Sequence, residues 1–220
     1  TRSADAREAG QLAELAAYGV TLDSLADLVG LPVLRKADLS ERQAAEPPFG
    51  GIRTQGITRV FQSPGPIYEP GGSSADWWRF ARFLHAAGIG KGDVVQNTFS
   101  YHFTPAGAMF ESAAVATGAQ VFAAGPGQTE LQVRAAADLG VTAYAGTPDY
   151  LQAILVKADE MGVALGITKA AVSGGPLFPQ VLGVRTPVIR RWVMFSGYGS
   201  DVCLLRYEEV ASDGAVTPVD

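Results

Sequence analysis

Residues 93–124 read DVVQNTFSYHFTPAGAMFESAAVATGAQVFAA, and this stretch decides the fold. DVVQNT (93–98) and AQVFAA (119–124) are short strand-like runs, and a helix-like run over 105–117 lies between them. Thr104-Pro105 marks the helix start. It sets a hydroxyl at the cap and a proline at the first helical position, where a missing N–H costs nothing. A strand, a helix and a second strand of these lengths require a crossover, so the strands are parallel.

The alternation continues downstream. VTAYA (141–145) and ITKAAV (167–172) read as strands, and 129–139 and 148–162 as helices. Thr147-Pro148 repeats the start signal, and Thr129 with Gln132 has the spacing of a capping box. The expectation is an α/β fold: an open, largely parallel sheet with helices on both faces. Ligands of such sheets bind beyond the carboxyl ends of the strands. The loops there are FSYHFT (99–104), GPGQ (125–128), GTPD (146–149) and SGGPLF (173–178). They are rich in Gly, Ser, Thr and aromatic residues, which favours a site over plain connectors.

Upstream the pattern is less regular. Apolar stripes over 3–18 and 22–29 suggest helices, and a linker with Pro32, Pro47-Pro48 and Gly50-Gly51 leads to a strand at 57–62. SPGPIYEP (63–70) then precedes a helix-like segment, SSADWWRFARFLHAAG (73–88). The expected division is a helical segment and linker over 1–56 and an α/β domain over 57–220.

Composition narrows the function classes. Of the 220 residues, 47% are hydrophobic and 18% charged, enough apolar surface for a core. A net charge of -5 gives no support to nucleic-acid or membrane-surface binding. No apolar run approaches a transmembrane span, and the polar start TRSADAREAG is not a signal peptide, so a soluble cytoplasmic protein is expected. The single cysteine, Cys203, forms no internal disulfide framework and reads as core within VCLL.

Most isolated signals read as structure. Trp77, Trp78, Phe80 and Phe83 are expected to pack one helix onto the core, and Asp159-Glu160 to lie on a solvated face. His85 reads as a structural or surface helix residue. For His102, between aromatics at a strand end, packing, hydrogen bonding and chemistry are all open. GPGQTE (125–130) follows a strand and opens a helix, as a dinucleotide loop does, but Glu130 stands where the third glycine belongs. A carboxylate there competes with a pyrophosphate for the helix dipole, which makes a nicotinamide oxidoreductase the weaker reading. There is no nucleophile-elbow serine, and VSGGP suits a backbone contact loop.

Taken in order, the loops resemble those of the phenylacetate–coenzyme A ligase family of adenylate-forming enzymes. LPVLRKADL (31–39) is similar to the family's LPxxxKxDL segment and PFGGI (48–52) to its PFG turn. AAGIGKGDVVQNTFSYHFTPAG (86–107) resembles the helix, GD turn and VQN-aromatic strand end. GPGQTELQ (125–132) resembles GGNTERQ, GTPDYL (146–151) the TPSY loop, and KAAVSGGPLFP (169–179) the GAEP loop. GYGSDV (197–202) resembles YGxSE, with Asp201 in the glutamate's place.

The resemblance implies ATP-dependent adenylation of a carboxylic acid, usually an aromatic one in the family, and transfer of the acyl group to coenzyme A. It places the acid among Phe99, Tyr101, His102 and Phe103, near Gly125, Gly127 and Gln128. It places nucleotide against Ser63, Gly65, Ser173, Gly174, Gly175 and Tyr198, with Asp201 near Mg²⁺. It implies a homodimer; the family's C-terminal domain with its adenylation lysine is absent from the stretch Thr1 to Asp220, so this stretch alone is expected to be inactive. The rival reading is a non-catalytic relative that keeps an acyl pocket without adenylation.

Within the resemblance, SPGPIYEP aligns with the phosphate loop SSGTTGKP. Ser63, Gly65 and Pro70 match; Pro64, Pro66, Ile67, Tyr68 and Glu69 replace serine, two threonines, glycine and lysine. A phosphate cradle uses backbone N–H groups, hydroxyls and a cation. Proline lacks the first, isoleucine the second, and Glu69 reverses the third. At ~6 Å and an effective dielectric of ~20, one like-charge contact costs about 3 kcal/mol before screening. Two outcomes stay open for Glu69: a repulsive group screened by Mg²⁺, or a metal ligand itself.

Overall fold

A computed structural model describes residues 35–52, 54 and 56–175, and the backbone of strands at 191–196, 204–210 and 216–218. The chain divides into two compact units, Thr1–Leu39 and Ser40–Asp220. Of the first, only residues 35–39 are described; they begin helix α1 (Lys36–Ala45). This helix lies in the stretch read as linker. Its mostly exposed, polar sequence (KADLSERQAA) gives no apolar period to detect.

The second unit contains a seven-stranded sheet. Its strands are β3 (Val94–Asn97), β4 (Gln120–Ala123), β5 (Ala143–Gly146), β6 (Lys169–Ser173), β7 (Arg191–Ser196), β8 (Leu204–Val210) and β9 (Val216–Pro218). They lie in the order β4-β3-β5-β6-β7-β8-β9. The pairs from β4 to β7 are parallel; β7–β8 and β8–β9 are antiparallel. Helices α3 (Ala106–Ala116), α4 (Thr129–Asp138) and α5 (Pro148–Met161) fill the crossovers where the sequence put them, within a residue or two at each end. The α/β reading holds.

Both faces of the sheet are covered. On one, Phe83 and Leu84 of helix α2 (Ala81–Ala86) join Phe110, Ala113 and Ala114 of α3 over Val95, Ala143, Ala145 and Ala171. On the other, Val133 and Ala136 of α4 and Leu151, Ile154, Leu155 and Ala158 of α5 pack with Tyr144, Ala170 and Val172. Alternation along β5 and β6 sends successive side chains to opposite cores. Four consecutive buried residues in β5 (AYAG) are what a central parallel strand demands.

Three local expectations are corrected. SPGPIYEP is not a loop between strand and helix. It forms the turn 64–66 and most of strand β2 (Ile67–Gly72), which pairs antiparallel with β1 (Ile57–Ser63) in a separate hairpin. Pro70 is tolerated because its nitrogen, two residues beyond that of Tyr68, faces away from β1. Second, helix 73–88 shrinks to α2. Trp77 and Trp78 sit in a turn, where Gly71 and Gly72 leave room for their rings, and Phe61 meets Trp78 edge-on at 6.0 Å. Asp76 Oδ1 accepts the Ala81 N–H at 2.9 Å and starts the helix instead. Third, Thr129 and Gln132 make no capping box. The α4 cap is Gln128 at φ 52, with no side-chain bond, and Gln132 is used elsewhere. Neither Thr104 nor Thr147 caps by a side-chain bond: Pro105 itself caps α3, and Thr147 caps α5 through its extended backbone alone.

Among the described residues no helix is long and apolar enough to cross a membrane. Cys203 lies outside them; Asp159 and Glu160 are exposed, as expected.

Candidate functional site

The loops beyond the carboxyl ends of β3, β4 and β5 are tied to one another through polar groups, most of them buried. Asn97, fully buried at the end of β3, is the first hub. Its Nδ2 donates to Tyr101 Oη at 2.9 Å and to Gly107 O at 2.8 Å, which folds FSYHF back onto the start of α3. Its carbonyl accepts the N–H groups of Ala124 and Gly125, each at 3.0 Å, so the same residue holds the start of GPGQ. Gly107 must be glycine here, because a Cβ would lie 2.6 Å from Ser100 O.

Gln132 is the second hub. Its Nε2 donates to Gly125 O at 2.7 Å and Gly127 O at 2.8 Å, while its Oε1 accepts from Gln96 Nε2 at 2.7 Å. Tyr150 Oη donates to Gly127 O at 2.6 Å, which joins GPGQ to the GTPDY stretch. The buried Gln96 Oε1 has no partner among the described residues.

A third link runs along β3 and β5. Thr98 Oγ1 donates to Tyr144 Oη at 2.8 Å, and Tyr144 Oη donates to Thr147 O at 3.0 Å. Burial pushes the Tyr144 phenol well above its ordinary range, so it stays a neutral donor. Burial, and then the neighbouring Glu111 carboxylate, do the same to Tyr101. The bonds that join these loops run between neutral donors and acceptors; the carboxylates of Asp149, in GTPD itself, and of Glu111 lie beside Tyr144 and Tyr101.

Of the expected acid-contacting residues, Phe99 is partly buried and stacks on Phe110 at 4.3 Å, and Tyr101 is partly buried on Asn97. His102 and Phe103 are exposed; the His102 N–H and carbonyl both bond the Ser100 hydroxyl. Phe103 stands at φ 59, in the left-handed region that bulky residues avoid. Gly125 and Gly127 take φ 66 and 87, which suits glycine.

Of the expected nucleotide contacts, Ser173 ends β6, and Gly174 follows at φ 80 beside Thr147. Ser63 and Gly65 lie apart from these, on the hairpin, which reaches the site through the Gln62 N–H bonded to Phe103 O at 2.8 Å. Ser63 Oγ is buried and has no partner among the described residues. Glu69 is not in the turn; it faces Phe61 across the strands. Tyr198 and Asp201 lie outside the described residues, and among those described no group of three or more His, Cys, Asp or Glu side chains is placed to hold a metal.

Asn97 and Tyr144 were not singled out from sequence, and Gln132 was read only as half of a capping box. The available signal was a pair of amides inside an apolar strand, VVQN, since buried polar groups need dedicated partners.

No family model matches the chain. Phenylacetate-coenzyme A ligase of Aromatoleum evansii is 29% identical over 151 residues, 64% of this chain and 33% of that protein. The chain thus spans about a third of the length of this curated relative. In structure it is similar to 2-hydroxyisobutyryl-CoA ligase in an open conformation with 2-HIB-AMP and CoA, with a TM-score of 0.68 and 24% identity over 84% of this chain and 44% of that one. It is also similar to the nonribosomal peptide synthetase FmoA3 in its AMPPNP-bound form, with a TM-score of 0.53 and 17% identity over 70% of this chain and 17% of that one. The structural likenesses show a shared fold. Together with the order of motifs and the curated relative, they support the resemblance to the phenylacetate–coenzyme A ligase family, over part of its N-terminal domain.

Proposed function

We propose that this chain, a partial N-terminal domain similar to that of phenylacetate–coenzyme A ligase, serves an AMP-forming ligase that activates a small carboxylic acid with ATP and passes it to coenzyme A. The observation that carries the reading is the convergence of FSYHF, GPGQ and GTPDY through Asn97, Gln132 and Tyr150. Motifs scattered over about fifty residues of sequence meet at the end of the sheet where α/β folds bind ligands. The relatives named above are ligases or synthetases, which favours this reading over the non-catalytic alternative.

In this reading the acid lies by Phe99, Tyr101, His102, Phe103 and the GPGQ loop. Aromatic walls with neutral polar groups suit an aromatic acid. Adenine lies by Ser173, Gly174, Gly175 and Tyr198. Ser63 Oγ, buried and unpartnered, supports a ligand near the hairpin turn. Pro64 and Pro66 leave Gly65 as the only N–H donor within that turn, so adenine and ribose contacts carry more of the ATP affinity than phosphate contacts do. Mg²⁺ is assigned to Asp201. A soluble, dimeric enzyme completes the proposal.

Calorimetric titration with ATP·Mg²⁺, with and without phenylacetate, tests it, alongside acid-dependent pyrophosphate release by the full-length protein. The expected results are tighter ATP binding in the presence of acid, and pyrophosphate release. Release of no pyrophosphate with any aromatic or short aliphatic acid would overturn the reading.

A further inference from the structure

The β1–β2 hairpin is held from both sides at one rung. Gln62 and Tyr68 face each other across its strands. Alternate rungs of an antiparallel pair point their N–H and C=O groups away from the partner. At this rung both outward sides are occupied. The Gln62 N–H donates to Phe103 O at 2.8 Å. The Tyr68 N–H donates to Gln43 Oε1 at 2.8 Å, and Gln43 Nε2 donates to Tyr68 O at 2.8 Å.

A single side-chain amide therefore does for β2 what the peptide group of a third strand would do. Gln43 is 5% exposed and is the buried residue of α1, so the helix commits its one inward side chain to this contact. Across the hairpin, Phe103 leaves 76% of itself in solvent and accepts a left-handed backbone. Its main chain, which delivers the carbonyl to Gln62, is what the structure uses. Such backbone conformations persist where surroundings over-determine them.

We infer that Gln43 is a positioning residue: with the Phe103 carbonyl it clamps the rung next to Ser63 and Ile67 and so fixes the turn at 64–66. This rests on the reading of the hairpin as the nucleotide side of the site and of loop 99–103 as the acid side. Because the second half of the clamp belongs to the acid-side loop, the clamp also passes order between the two.

Gln43→Glu gives the inference a distinctive test. A protonated carboxyl presents the same donor and acceptor as the amide, whereas a carboxylate cannot donate to Tyr68 O and repels it. Burial raises the pKa of the introduced carboxyl, so at about pH 5 it is largely protonated and at about pH 7.5 largely ionised. Hydrogen exchange of the Tyr68 amide, compared with the unsubstituted protein at each pH, should show roughly tenfold lost protection at the higher pH and recovery at the lower. The ATP affinity should follow the same pH pattern, falling about fivefold and recovering. Gln43→Leu should lose both at either pH.

Unchanged protection in Gln43→Glu at the higher pH would overturn the clamp. Lost protection with ATP affinity unaltered would overturn the positioning role. If the unsubstituted protein binds no ATP, the functional reading fails, and exchange at Tyr68 alone judges the clamp.

Discussion

The two ends of the parallel sheet are closed by opposite chemistry. At the amino ends of β3, β5 and β6, charge does the work. Asp93 accepts two bonds from Lys169 Nζ at 2.8 and 2.9 Å, one from Thr142 Oγ1 at 2.8 Å and one from the Gly90 N–H at 2.9 Å. At the carboxyl ends the links between loops are amides, hydroxyls and phenols, with the Glu111 and Asp149 carboxylates beside the phenols. On the proposed function, an ion-pair staple at the ligand end would add to the field met by an acid and a nucleotide; the ion pair stands at the far end instead.

The comparison is best broken at Gly146, in the neutral end. A Cβ there would fall on Thr98 Oγ1 and Tyr144 Oη within a strand paired on both sides. Gly146→Ala should destabilise the protein by about 3 kcal/mol, measured by denaturant titration, with loss of ligand binding. A cost below ~1 kcal/mol would mean that the Thr98–Tyr144–Thr147 chain is easily displaced.

Lys169→Met attacks the charged end. It leaves the Asp93 carboxylate buried with two neutral donors, and should cost about 2–3 kcal/mol without changing ligand affinity in the folded protein. Burial alone would raise the Asp93 pKa, but the bonds from Lys169, Gly90 and Thr142 outweigh it and hold the carboxyl below its ordinary value. A depressed folded pKa stabilises above the unfolded value of about 3.9, and that contribution is lost as pH falls through the folded one. Asp93→Asn should therefore flatten the acid limb of a stability–pH profile, and an unaltered limb would assign acid sensitivity elsewhere.

Tyr150→Phe gives the smallest effect and sharpens the comparison most. Gly127 O keeps its bond from Gln132, so stability should fall by less than ~1 kcal/mol. A several-fold weaker acid affinity in calorimetry would place the role of Tyr150 in shaping the loop rather than in folding.

How much of this was legible in the sequence follows from what each region uses. Strands β3 to β6 and helices α3 to α5 are set by apolar period and by proline and glycine at their ends, signals carried by consecutive residues. The hairpin is set by contacts that no periodic pattern carries: Trp77 and Trp78 lie over Gly72 and Gly71, and Gln43 lies 25 residues from Tyr68. A helical period over SSADWWRF cannot reveal that its tryptophans leave the helix for a glycine seat. Thr129 and Gln132 show the same limit. Their spacing fits a capping box, yet Gln132 finds two loop carbonyls and Gln96, partners that only the fold supplies. The site was legible as loops; the amides that hold the loops were not.

The clamp on the hairpin has a consequence for solubility. A two-stranded ribbon has two bare edges, and each bare rung can recruit a strand from another molecule. Here the second rung from the turn is occupied on both sides, by Gln43 and by the Phe103 carbonyl. Pro70 offers no N–H farther along β2. A segment rich in valine, isoleucine and aromatic residues is thereby denied the continuous row of free peptide groups on which a fibril would grow.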